Sequence, residues 1–129
     1  MSGRYLLDTN VIIALFAKNP QIHARIEKAE EIFVPSIALG ELYFGAYKST
    51  KIEDNLNRIE DFALNNAVLA CDNEIAKKYG SIKKGLKDKG QPIPENDIWI
   101  AAIAQQYGLT LVSNDLHFDV IENLSVEKW

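Results

Sequence analysis

Runs of consecutive apolar residues alternate along this chain with longer segments in which apolar residues return every three or four positions, the marks of buried strands and amphipathic helices. Arg4-Tyr-Leu-Leu-Asp8 reads as a short buried strand, and Thr9-Asn10 followed by Val11 to Phe16 reads as a capped helix start. After Asn19-Pro20, the positions Ile22, Ile26 and Ala29 mark a second helix. Ile32-Phe33-Val34 is a strand that Pro35 ends, and Ser36 is placed to cap the next helix, which runs to about Lys48. Ile52, Leu56, Ile59, Phe62 and Ala63 keep helical spacing, and Ala67 to Cys71 is apolar enough for a third strand. Asp72 to Lys89 is predicted helical although Gly80 and Gly85 weaken it, and Gly90-Gln-Pro-Ile-Pro94 is a loop. Asn96 to Tyr107 is the strongest helix, with Gly108 just past its end; Thr110 to Ser113 is a strand, and Leu124 to Val126 adds a last short one. Such alternation predicts an α/β fold whose mostly parallel sheet is covered on both faces through right-handed crossovers.

Length and composition narrow the picture. A chain of 129 residues, 47% hydrophobic, fits one domain over 1–129 that buries roughly two-thirds of its unfolded surface. The runs Val11 to Ala17 and Ile98 to Ala104 fall short of the roughly 18 apolar residues that span a bilayer, and the start lacks a signal-peptide core, so no membrane role and a cytoplasmic location are expected. Cys71 has no partner for a disulfide and no metal-binding spacing, and reads as a small core residue. The net charge of −4 argues against holding nucleic acid by bulk electrostatics. Yet residues 77–89 contain six lysines and one acid, Asp88. That basic arm is either a solvated helix face or a track for a phosphate backbone, with Lys83, Lys84 and Lys87 as the contacts.

Four acids stand out against the pattern. Asp8 and Asp115 follow predicted strands, whereas Glu41 and Asp97 interrupt apolar stripes of predicted helices. The neighbours of Glu41 at helical spacing are Ile37, Ala38, Phe44 and Gly45, which predicts a charge on the face turned to the sheet; those of Asp97 are Ile100, Ala101, Ala104 and Gly108. Taken singly, Asp8 is explained as an N-cap, Asp97 by the dipole of a first helical turn and Asp115 as a turn residue. Taken together they point to a site, because functional groups of open α/β sheets collect beyond the carboxyl ends of the strands, where all four are predicted. Two carboxylates about 4 Å apart at an effective dielectric near 20 repel by roughly 4 kcal/mol, so a cluster must hold protons or bind cations. Oxygen ligands without His or Cys select Mg²⁺ or Mn²⁺. Thr9, Asn10 and Ser113 flank the strand ends as hydrogen-bonding support, each equally able to cap a helix or turn. Asp119 is a candidate outer ligand or an ordinary turn residue, and His117 a candidate phosphate contact or donor to the site, although a lone loop histidine more often serves neither purpose.

Four segments in order, Leu7-Asp-Thr-Asn-Val-Ile12, Ser36-Ile-Ala-Leu-Gly-Glu-Leu42, Pro94-Glu-Asn-Asp-Ile-Trp-Ile-Ala-Ala102 and Leu111-Val-Ser-Asn-Asp-Leu-His-Phe118, make nearly the whole chain resemble the PIN-domain nucleases, and within them the VapC-type toxins of toxin–antitoxin pairs. The resemblance implies a three-layer α/β/α sandwich, a divalent-metal site, endoribonuclease activity, a homodimer and a cognate antitoxin that blocks the site. Asp8, Glu41, Asp97 and Asp115 match the family's acidic positions, and Ser113 stands where Thr is common. On this reading Asp8, Glu41 and Asp97 hold one Mg²⁺ or Mn²⁺, Asp115 helps with that ion or a second, and water attacks an RNA phosphodiester in line. Competing readings are a catalytically silent PIN-like module that binds RNA or a partner, and a phosphoaspartate receiver or haloacid-dehalogenase-like phosphatase. The last two want a second acid beside Asp8 or two residues on, and Thr9 and Asn10 stand there instead.

Overall fold

The computed structural model describes residues 3–129; Met1 and Ser2, part of the start read above, lie outside them. Among the described residues, five strands form one sheet: β1 (Arg4–Leu7), β2 (Glu31–Pro35), β3 (Ala67–Leu69), β4 (Thr110–Val112) and β5 (Val126–Glu127). Their order is β3-β2-β1-β4-β5 and every pairing is parallel, so the sheet expected to be mostly parallel is wholly so. Six helices of the described residues cover it: α1 (Thr9–Phe16), α2 (Pro20–Lys28), α3 (Ser36–Tyr47), α4 (Ile52–Leu64), α5 (Asn73–Asp88) and α6 (Glu95–Tyr107), with a 3₁₀ turn at Leu116–Val120. No helix among the described residues is long and apolar enough to cross a membrane.

The two-residue period of a strand divides the core. Leu6 and Leu111 face one layer, with Ile75, Leu86, Ile98, Ile103 and Phe118 from α5, α6 and the 3₁₀ turn. Leu7 and Val112 face the other, with Val11, Ile22, Leu42 and Ile59 from α1 to α4. Each central strand is therefore apolar on both sides, as the unbroken runs at its sequence require. Gly108 closes α6 at φ 63°, a left-handed conformation that glycine adopts without the Cβ clash of other residues, and Leu109 N–H returns to Ala104 O at 2.8 Å.

Several local expectations change. The third strand stops at Leu69, and Cys71 is exposed instead of buried, because β3 is the outer strand of the sheet and its chain leaves the core early. Ser36 does not cap α3; Pro35 occupies the capping position and Ser36 is the first helical residue, with no side-chain cap bond. The last strand lies at Val126–Glu127, shifted past Leu124, and pairs with β4.

Candidate active site

The site forms where the chain reverses the order of the sheet. From β1 the chain runs outward to β2 and β3, then returns across the other face through α5 and α6 to β4, so β1 and β4 are neighbours whose following loops diverge. Such a switch point opens a crevice at the carboxyl ends of the strands. Asp8 follows β1 there and Ser113 follows β4. The N-terminus of α6 reaches the same edge because α6 runs back over the sheet before β4 begins.

Asp8 is the deepest carboxylate, 4% exposed. It is the N-cap of α1, with Thr9 N–H donating to Oδ1 at 2.8 Å, and the Ser113 hydroxyl donates to Oδ2 at 2.7 Å. The capping explanation thus holds for Asp8, which also lies at the crevice. Ser113 is wholly buried and also accepts from Asp115 N–H at 3.0 Å, so one hydroxyl latches the loop after β4 to the end of β1. Asn10 reinforces the latch: its Oδ1 accepts from Asn114 N–H at 3.3 Å, and its Nδ2 is 3.4 Å from Asp8 Oδ2. Thr9 donates its hydroxyl to Glu41 Oε1 at 2.6 Å and fixes that side chain toward the crevice.

Glu41 is where the spacing argument fails. The face of α3 turned inward is Ala38, Leu39, Leu42 and Ala46, whereas Phe44 is 63% exposed and Glu41 and Gly45 are exposed too. The helix is apolar almost all round, so periodicity could not choose the buried side. Glu41 reaches the crevice from the flank and not from the sheet-facing stripe.

Asp97 lies in the first turn of α6, half-buried, and Asp115 caps the 3₁₀ turn by accepting from His117 N–H at 3.0 Å. His117 Nδ1 stands 2.9 Å from Asp97 Oδ2 and 3.0 Å from Asp115 Oδ1. Ligand atoms of Asp97, Asp115 and His117 all lie within 4.8 Å of one another. The tight group is therefore not the expected Asp8, Glu41 and Asp97, and it includes a nitrogen that the all-oxygen expectation left out. The available signal was the position of His117 two residues after an acid at a strand end, too common a spacing to decide anything.

Charge couples the remaining acids to this group. Burial pushes the Asp8 carboxyl above its ordinary value; hydrogen bonds from Ser113 and Thr9 pull it back, and the charges of Asp97 and Glu41 raise it further. Burial likewise raises Asp97, opposed by the His117 hydrogen bond and aided by Asp115 and Glu41. The hydrogen bond to Asp97 raises His117, helped by the charges of Asp115, Asp97 and Asp8. Among the described residues, the ion pairs of these acids are with His117. The donor set fits a divalent cation: oxygen-rich, electrostatically strained without a positive charge, and open to solvent through Asp115 and His117.

Other candidates lie elsewhere. Asp119 is exposed in the 3₁₀ turn and is not part of the group. On α5, Lys83 binds Glu95 at 2.8 Å and Lys84 binds Asp88 at 2.6 Å, so two of the three nominated lysines already have anionic partners. Residues 5–124 match the profile of the PIN domain.

The chain belongs to the PIN domain family. Ribonuclease VapC2 of Haemophilus influenzae is 41% identical over 129 aligned positions, covering 98% of each chain. The tRNA(fMet)-specific endonuclease VapC of Salmonella typhimurium is 35% identical, again over 98% of each. The solved structure of DNA-bound VapBC from Salmonella typhimurium shares the fold at a TM-score of 0.91, with 35% identity, covering 100% of this chain and 99% of that one. The family suggested by the four sequence segments is thus the family found.

In this PIN domain the Ser113 latch has a measurable worth. Ser113→Ala strips Asp8 of its shortest hydrogen bond and leaves Asp115 N–H without its acceptor, at an expected cost of about 1–3 kcal/mol in urea unfolding. Ser113→Thr keeps the hydroxyl and should lose much less. Equal losses in the two variants would show that packing, not the hydroxyl, joins the strand ends.

Proposed function

We propose that this PIN domain is a Mg²⁺- or Mn²⁺-dependent endoribonuclease, the toxin of a toxin–antitoxin pair, with Asp8, Glu41, Asp97 and Asp115 as its acidic machinery. The observation that carries the reading is the meeting of these side chains at the β1–β4 switch point, where the charges of Asp97 and Glu41 raise Asp8, and those of Asp115 and Glu41 raise Asp97. The names and complexes of the similar proteins support the ribonuclease and antitoxin parts. When bound, a divalent cation supplies activation of the attacking water and neutralisation of charge on the phosphate. The chain itself does the positioning. Ser113 and Thr9 hold both oxygens of Asp8, and Thr9 aims Glu41. Asp97 and Asp115 present their oxygens at the open side, where an RNA backbone has access.

Two surfaces serve partners in this reading. Beside Glu41 lies a mostly apolar groove of about 380 Å³ lined by Ile13, Phe16, Leu42, Ala46, Arg58 and Ile59, a seat for an apolar antitoxin segment next to the acids. On the basic arm, Lys87 carries no ion pair among the described residues and is the lysine assigned to an RNA phosphate.

Purified protein is expected to cut a labelled RNA in Mg²⁺ or Mn²⁺, to stop when a chelator is added, and to resume with excess metal. Cleavage that survives chelation would overturn the metal requirement, and none with either ion would favour the silent binding module. In a binding titration with the same RNA, Lys87→Ala should reduce the slope of log affinity against log salt by about one. An unchanged slope removes Lys87 from the substrate track.

A further inference from the structure

We infer that His117 is a metal ligand in its own right, its Nδ1 joining one oxygen each of Asp97 and Asp115 to form a mixed nitrogen–oxygen face that favours Mn²⁺ over Mg²⁺. The inference rests on the metal-dependent reading above and adds to it which side chains hold the ion and what ion they prefer.

The geometry places one nitrogen beside two carboxylate oxygens, all within 4.8 Å of one another. In an octahedral site with bonds of about 2.1 Å, adjacent ligand atoms stand about 3.0 Å apart. Nδ1 lies 2.9 Å from Asp97 Oδ2 and 3.0 Å from Asp115 Oδ1, so the nitrogen already has the spacing of an adjacent position to each oxygen around one ion.

The ring is held there from both directions along the chain. On one side, His117 N–H is tied to Asp115 Oδ1 at 3.0 Å, and Asp115 N–H is tied to the buried Ser113 hydroxyl at 3.0 Å. On the other, Phe118 is wholly buried in the core layer of Ile98, Ile103 and Leu111, which anchors the turn just past the ring. The His117 side chain remains 47% exposed, so solvent reaches the ring. Without a metal, the same nitrogen bridges two carboxylates that would otherwise repel, which keeps the ligand set assembled before the ion arrives.

Ligand chemistry then sets the preference. Carboxylates alone suit Mg²⁺ and Mn²⁺ about equally, whereas an imidazole nitrogen is a poor ligand for Mg²⁺ and a good one for first-row transition metals. A bridge that merely straps the empty site together would be released on metal binding and would leave no trace on the ion.

The test is a metal titration of the full chain with a spectroscopic readout. Pulsed electron paramagnetic resonance of bound Mn²⁺ should show ¹⁴N modulation in the unaltered protein and none in His117→Ala; His23, the other histidine, lies exposed on α2 and stays as an internal control. By calorimetry, His117→Ala should weaken Mn²⁺ at least about tenfold, the scale on which loss of a site contact acts, and Mg²⁺ far less. Bound Mn²⁺ without ¹⁴N modulation in the unaltered protein, or equal weakening of both ions by the variant, overturns the assignment while leaving metal dependence standing. Binding of neither ion to the unaltered protein overturns the metal-dependent reading and this inference with it.

Discussion

Asp8→Asn and Asp97→Asn are each expected, on the proposed metal-dependent ribonuclease reading, to lower RNA cleavage by at least about a hundredfold, since each removes a charge from the proposed cation site. Neither should harm the fold. Asparagine caps helices as well as aspartate does, so the Asp8→Asn variant keeps an acceptor for Thr9 N–H, and its amide can turn toward the Ser113 oxygen. At both positions burial and neighbouring acids penalise the ionised form, so the neutral isostere relieves a cost that the metal-free protein carries near neutral pH. The sign follows from linkage. A carboxyl whose folded value is raised weakens the fold once pH exceeds its ordinary value, so a neutral replacement leaves the unfolding midpoint unchanged or higher in the presence of chelator. Activity and stability should therefore move in opposite directions, as expected of residues kept for chemistry. Full cleavage by either variant would show that its carboxylate is not part of the machinery.

The largest loss of stability is expected at Phe118. It is the bulkiest wholly buried side chain, it belongs to the layer formed with α5 and α6, and it lies between His117 and Asp119 in the 3₁₀ turn. Phe118→Ala should cost about 3–5 kcal/mol through lost burial and the cavity left behind. That is a large part of the about 5–15 kcal/mol that holds a domain of ordinary stability together. Urea unfolding followed by tryptophan fluorescence would measure it, and Phe118→Leu should cost clearly less because most of the volume stays. A loss below about 1 kcal/mol for the alanine variant would mean that the turn repacks, against the close packing described. Because Phe118 also anchors His117, the alanine variant should bind Mn²⁺ more weakly even at temperatures where it remains folded.

The groove beside Glu41 and the acids share an edge, so a segment seated on Ile13 and Phe16 lies within reach of the site. Occupation of an apolar seat can in this way block an acidic centre without matching its charge.

What the amino-acid order determined by itself was local: five short apolar runs, six helical periods, the turn at Gly108, and the placement of Asp8 and Asp115 just past strands. These follow from dihedral preferences and from the side-chain periods of strands and helices, which act over a few residues. Tertiary structure decided which side of α3 faces inward, because a helix apolar all round has no preferred side until its neighbours are placed. It exposed Cys71 by setting β3 at the rim, and it paired Lys83 with Glu95 across the α5–α6 loop. It also brought His117 to Asp97, 20 positions away, through the packing of α6 against β4 and the burial of Phe118. Contacts of that kind depend on how crossovers stack on the sheet, and no repeat along the chain encodes them.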